Sequence, residues 1–329
     1  MIYIETQSTS PTFNLAVEEY LCQTQTLTEP VFLFWQTEPT VMLGRYQNIY
    51  QEVDLPLLQK DQIQLVRRTT GGGCIYTDLG GFQFSFIIPK NSQEIDFSDY
   101  LKPIINVLNS FHLAVTCDTR NDLLLHNKKI SGNAQASRHG YTLHHGSLLF
   151  QTDLDSMTRY LKAPKYTMAQ AGIQSVKSRV ANLTDYLTES YSAKEFKELF
   201  LHYLMASHPI QSYTLKPEEV THIQLIQHQL FENPDWLIGK NPPVSLTQST
   251  KLKGGHLTIA ADIKAGLIQH IQFTGDFFTT GHIEQLEESL ENCPFTYEAV
   301  KSKLLTSDTA IYQITTEDIL QLLFPTSST

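Results

Sequence analysis

Residues 81–88 read Gly-Phe-Gln-Phe-Ser-Phe-Ile-Ile, with Phe82, Phe84 and Phe86 alternating with Gln83 and Ser85. A strict period of two is a strand signal, and it predicts one buried face and one that is not. This run commits the first half of the chain to sheet, because it has neighbours of the same kind. VFLFW at 31–35, VMLG at 41–44, IQLVRR at 63–68, HLAVTC at 112–117, DLLLH at 122–126 and GSLLF at 146–150 are short and rich in β-formers. Glu38-Pro39 between the first two predicts a hairpin or closely paired strands. Helical spacing intervenes at 13–22 (Phe13, Ala16, Val17, Tyr20), at 55–60 and around 98–111. Regular βαβ alternation is missing. The fold class expected is therefore α+β, a mixed, largely antiparallel sheet flanked by helices.

The later sequence changes character. Residues 194–207 and 217–231 read as amphipathic helices, and the proline-bearing stretch 234–250 reads as a boundary. Beyond it, 255–277 predicts two alternating strands around an Asp-Ile-Lys-Ala-Gly turn, followed by short helices near 282–290, 296–305 and 316–323. A chain of 329 residues is long for one core. We expect a catalytic domain over 1–245 and a small α+β domain over 246–329.

The formal net charge of −10 argues against a general nucleic-acid binder, which needs a basic excess to neutralise phosphates. Cys22, Cys74, Cys117 and Cys293 show neither CxxC spacing nor a disulfide framework, so they read as reduced thiols, and no metal-ligating set is visible. Neither a signal peptide nor a run of about 18 apolar residues is apparent. The expectation is a cytoplasmic protein with no membrane partner.

The densest chemistry lies at 67–81, Arg-Arg-Thr-Thr-Gly-Gly-Gly-Cys-Ile-Tyr-Thr-Asp-Leu-Gly-Gly. Three glycines between strands allow close backbone approach and offer unhindered N–H groups to an anion. The arginines before them can grip a carboxylate or phosphate with paired donors. Taken alone, the stretch could equally be a glycine turn with solvated arginines, and no Gly-Lys-Ser/Thr makes it a Walker loop. At 121–134, a lysine leads into Ile-Ser-Gly and can be held by the strand it starts. Adjacent His144 and His145 on a strand point to opposite faces, so at most one faces a given site. The cationic segment 171–183 can cover a nucleotide or lie in water.

RRTTGGGCIYTDLG, RNDLLLHNKKISGNAQ, HHGSLLF and SVKSRVANL occur in that order, after FNLAVEEYL near the start. Together these motifs, over roughly residues 10–185, resemble the lipoate–protein ligase family. The resemblance implies the catalytic fold of the biotin and lipoate ligases. It also implies that lipoate is activated with Mg-ATP to lipoyl-AMP, with release of pyrophosphate, and passed to a carrier lysine. Arg68 would match the family arginine at the acid and adenylate, and Lys129 the lysine that bonds both carboxylate and α-phosphate. Asp122 would orient Lys129 or the incoming amine, with Asn121 beside it. Gly71, Gly72, Gly73, Cys74, Ile75 and Tyr76 would line the nucleotide and acyl site. Ser131, Gly132 and His145 would border it, and Ser178, Arg179 and Val180 would belong to the adenylate-covering loop.

Many relatives carry His where Thr77 stands, Asn where Gly81 stands and Arg where Ala136 stands. The partners implied are lipoyl domains of 2-oxoacid dehydrogenase E2 subunits or the glycine-cleavage H protein, acted on by a monomer. Two other readings stay open. One is an ATP-independent octanoyl or lipoyl transferase, which needs a cysteine nucleophile that the stretch between Cys117 and Cys293 lacks. The other is a non-catalytic homologue that docks carrier domains.

Overall fold

The computed structural model of the chain describes residues 1–24, 28–90, 95–118, 121–161, 179–207, 209–238, 245–264 and 266–324. Among these, the strands of the first part are β1 (Ile2–Ile4), β2 (Val31–Trp35), β3 (Thr40–Leu43), β4 (Gln64–Arg67), β5 (Ile75–Thr77) and β6 (Gly81–Ile88). They continue as β7 (Thr116–Cys117), β8 (Leu123–Leu125), β9 (Lys128–Ser131), β10 (Asn133–Arg138), β11 (Tyr141–Leu149) and β12 (Gln211–Tyr213). The last part adds β13 (Leu246–Leu252), β14 (Gly255–Lys264) and β15 (Leu267–Gly275).

A six-stranded sheet runs in the order β10-β11-β6-β2-β1-β12. β1 lies parallel to β2 and β12, and the other pairs are antiparallel, so the sheet is mixed and largely antiparallel as expected. β6 is buried on both faces, which corrects the one-sided pattern read from its alternation. Phe82, Phe84 and Phe86 pack into an aromatic core with the helices Ser98–Ser110 and Ala193–Ser207. The opposite face meets the first helix, Pro11–Thr24, where Ser85 Oγ donates to Glu18 Oε1 at 2.5 Å. Gln83 Nε2 donates to Thr77 Oγ1 at 2.7 Å. The polar residues are inside because each has a partner there.

The hairpin expected of 31–35 and 41–44 does not form. β2 sits between β1 and β6, whereas β3 belongs to a separate sheet of order β4-β3-β5. All five residues of β2 are buried, so its unbroken apolar run reported depth without naming a neighbour. β3 runs parallel to β4 and antiparallel to β5, and the glycine segment crosses the end of β3 between them. A third small sheet, β7-β8-β9, carries Lys129.

β10 and β13 escaped the sequence reading. β10 (Asn-Ala-Gln-Ala-Ser-Arg) and β13 (Leu-Thr-Gln-Ser-Thr-Lys-Leu) are too polar for an apolar run, and β13 is never deeply buried. The helices Ile283–Leu290, Tyr297–Thr306 and Thr316–Leu323 occur where periodicity put them, the last two capped by Thr296 and Thr315. They share a core with Leu257, Ile259 and Phe273 of β14 and β15.

Candidate active site

The segment between β4 and β5 is pinned from beneath by Arg68. Its guanidinium donates to Thr70 Oγ1, Met42 O, Gly71 O and Gly73 O at 2.8–3.3 Å. The side chain is therefore spent largely on carbonyls of its own loop, and burial brings its pKa down to about 10, still charged at neutral pH. Arg67 points elsewhere. It donates to the carbonyls of Gly44, Arg45 and Gln47 and to those of Trp236 and Leu237, tying the loop after β3 to the short helix Pro234–Ile238. The sequence predicted arginines gripping a ligand; the structure makes them first of all braces, because a desolvated guanidinium must satisfy its donors.

A buried polar chain leads away from Arg68. Thr70 Oγ1 meets His145 Nε2 at 2.7 Å, and His145 Nδ1 lies 3.1 Å from both oxygens of Glu18. Glu18 is fully buried and accepts from Ser85, which in turn accepts from Trp35 Nε1 at 3.1 Å. The assignment that satisfies every group sends all these donors toward one carboxylate, with the Nδ1–H tautomer at His145. The parallel pair Arg138–Glu19, at 3.0 Å, adds a second arginine to the loop, since Arg138 Nη2 donates to Thr69 O at 2.5 Å. Arg138, out of register in sequence with position 136, thus still reaches the glycine segment. Thr77 is buried against Thr37 and Gln83 and lines neither cavity described next.

Two cavities open on the loop. The smaller, about 200 Å³, is walled by Trp35, Met42, Arg68, Ile75, Gln83 and His145 among others. The larger, about 440 Å³, is bordered by Tyr76, Leu149, Met157, Ser131, Arg179 and Val180. Gly73, Cys74, Ile75, Asp122, Lys129, Gly132, Ser147 and Asp276 belong to both walls. Lys129 is the one cation in that shared wall among the described residues, and its Nζ is 2.8 Å from Asp122 Oδ1. It has room because position 132 is glycine: a Cβ there would sit 3.0 Å from Nζ. Val180 bridges to Lys129 in parallel, and Ala181 N donates to Lys129 O at 3.1 Å, so the stretch after 178 lies alongside β9.

Most of the predicted set therefore converges. Gly71 and Asn121 border neither large cavity; Asn121 O instead accepts from Asn133 Nδ2 at 2.9 Å. Ser178, with most of the covering segment, lies outside the described residues. Sequence reasoning missed Trp35, Met42 and Gln83, and Glu18 behind them. It also missed Asp276 and Phe278 from the C-terminal domain. A glutamate in the middle of an apolar helix was the one signal available for Glu18.

Family models decide the kinship. One described as the lipoyl protein ligase A/B catalytic domain matches residues 10–205, and one described as the bacterial lipoate protein ligase C-terminus matches residues 241–323. The chain belongs to the lipoate–protein ligase family. Lipoate–protein ligase 1 of Staphylococcus aureus is 32% identical over 301 residues, 91% of this chain and 92% of that one. The crystal structure of P. falciparum LipL1 in complex with lipoate has the same fold, with a TM-score of 0.78, 20% identity and 97% of each chain covered. A lipoate–protein ligase A bound with ATP superposes on 73% of this chain and 99% of its own, with a TM-score of 0.60 and 25% identity. Within the ligase family's fold, the chain places Lys129 between two cavities of unequal size and lining.

Proposed function

We propose that the chain activates lipoate with ATP to lipoyl-AMP and then transfers the lipoyl group to the ε-amine of a lysine on a carrier domain. The observation that carries this reading is Lys129 in the wall common to both cavities. The smaller cavity, with Trp35, Met42 and Ile75, suits an acyl chain. The larger, with Tyr76, Met157 and Arg179, suits a nucleotide.

The chemistry needs a cation at the junction. A carboxylate oxygen attacks the α-phosphorus, the bond to the β-phosphate oxygen breaks, and pyrophosphate leaves with the electron pair. Carboxylate and phosphate repel each other, and an ammonium within reach of both lowers that cost where charge develops. Asp122 holds Lys129 by its ion pair. In the second step an amine nitrogen attacks the acyl carbon, AMP leaves, and the amine, of pKa near 10.4 when free, gives up a proton. Magnesium bound with ATP would screen the phosphates. It commonly takes one or two carboxylates plus phosphate oxygens, and Glu52, Asp118 and Asp122 on the larger wall are oxygen donors of that kind.

A thioester route finds no support at Cys74. Desolvation and the Glu52 carboxylate push its thiol up, away from the thiolate that such a route needs. Lipoate-dependent release of pyrophosphate from ATP tests the reading. Wild type is expected to release it, and Lys129→Leu to lose at least about a hundredfold in rate while keeping its melting temperature. A Lys129→Leu enzyme with full release would end the assignment. A carrier lysine, on an E2 lipoyl domain or the H protein, is expected to gain the mass of one lipoyl group.

A further inference from the structure

The glycine triplet is not uniformly used. A Cβ at Gly73 would meet nothing nearer than Asp276 Cβ at 3.8 Å, whereas one at Gly71 would sit 2.1 Å from Phe277 O. Gly72, at φ +90°, donates its N–H to Phe277 O at 3.1 Å. The bareness of Gly71 thus serves a second stretch of backbone, the turn after β15. That turn is held from its other side as well: Gly275 N donates to Tyr46 O at 2.9 Å, Tyr46 Oη meets Thr279 Oγ1 at 2.8 Å, and the Tyr46 ring stacks on Phe277 at 5.0 Å. Between these ties the Phe278 ring crosses Gly72, where a Cβ would lie 3.1 Å away, and meets Phe97 edge-on at 5.6 Å. Phe278 thereby becomes part of the smaller cavity's wall, whose other apolar members come from the first domain. Asp276 borders the same wall with Oδ1 turned to the His256 N–H.

We infer that Phe278 is an acid-retaining residue supplied by the C-terminal domain, and that Gly71-Gly72 is the seat that holds it over the cavity. This rests on the reading of the smaller cavity as the acyl site. The aromatic ring covers apolar lining that would otherwise face water, so its contribution falls on how long a bound acid stays.

The test is stopped-flow binding of lipoate without nucleotide, on the full chain. Phe278→Ala is expected to raise the dissociation rate about tenfold, with association unchanged or faster and one site per chain retained. Phe278→Leu, which keeps bulk, is expected to return dissociation to within about threefold of wild type. Gly71→Ala is expected to raise dissociation as Phe278→Ala does, and to enlarge the radius of gyration in small-angle scattering as the domains part. A Phe278→Ala dissociation rate within twofold of wild type overturns the inference. So does a Gly71→Ala chain that expands yet releases lipoate at the wild-type rate. If wild type itself fails to bind lipoate, the acyl reading of the cavity falls and takes this inference with it.

Discussion

His144 and His145 are neighbours with opposite fates. His145 lies in the polar chain between Thr70 and Glu18, while His144 is fully buried among Phe84, Phe97 and Tyr100, its ring stacked on Tyr100 at 4.7 Å. Neither His144 nitrogen has a hydrogen-bond partner among the described residues, and burial, reinforced by His145, holds its pKa well below the ordinary 6.5. A base whose folded-state pKa is depressed gives stability that is present above the unfolded pKa and lost as pH falls through it, because the unfolded chain takes up the proton first. Wild type should lose up to about 1.4 kcal/mol per pH unit from this residue below about pH 6.5. His144→Leu should remove that part of the slope, read from urea midpoints between pH 7 and pH 5. An unchanged slope would mean that His144 takes up its proton as readily in the fold as in the unfolded chain. The opposite facing of the two histidines was legible from strand alternation alone. The partner of His145 was not, since Glu18 lies 127 positions away and packing of the first helix across β6 and β11 joins them.

At the scale of elements, periodicity located strands and helices better than it paired them. The neighbourhood of β14 and β15 could be read because a short turn joins them, but their register, which shifts between Asp262 and Ile263, could not. The separation of β2 from β3 could not, because both carry apolar residues on each face and nothing local says which edge each will take. The single residue between β9 and β10 shows how closely an element can serve chemistry. Gly132 leaves the space that Lys129 occupies. Gly132→Ala should displace the ammonium and slow adenylate formation by about tenfold or more, with stability changed by less than about 1 kcal/mol because the long side chain can shift. Pyrophosphate release set beside thermal melting distinguishes this from simple unfolding, which would move both together.

Across the whole molecule, the strand and helix patterning of the last quarter announced a small α+β unit, yet nothing in sequence announced that it would lean on the glycine segment. Arg45 Nη2 and Glu284 Oε1, 2.7 Å apart, join the domains beside the rings of Tyr46 and Trp236. Both side chains are partly exposed, so the pair is screened yet not negligible. Arg45→Ala should weaken docking by up to about 1 kcal/mol, seen as an expanded scattering profile at moderate salt. An unaltered profile would assign the docking to the backbone contacts and to the Tyr46–Phe277 and Tyr46–Thr279 contacts. Such long-range complementarity is invisible to local pattern, since each partner looks like an ordinary surface residue in its own stretch.

The join between the halves rests in good part on peptide groups: an amide of the 70s to a carbonyl near 277, and an amide near 275 back to residue 46. Peptide groups are common to all twenty amino acids, so a lineage could exchange most of the surrounding side chains without losing the fit. What it could not easily tolerate is one extra methyl where none can stand. Divergence among descendants of this chain should therefore gather around the bare position at 71 and leave that position itself alone.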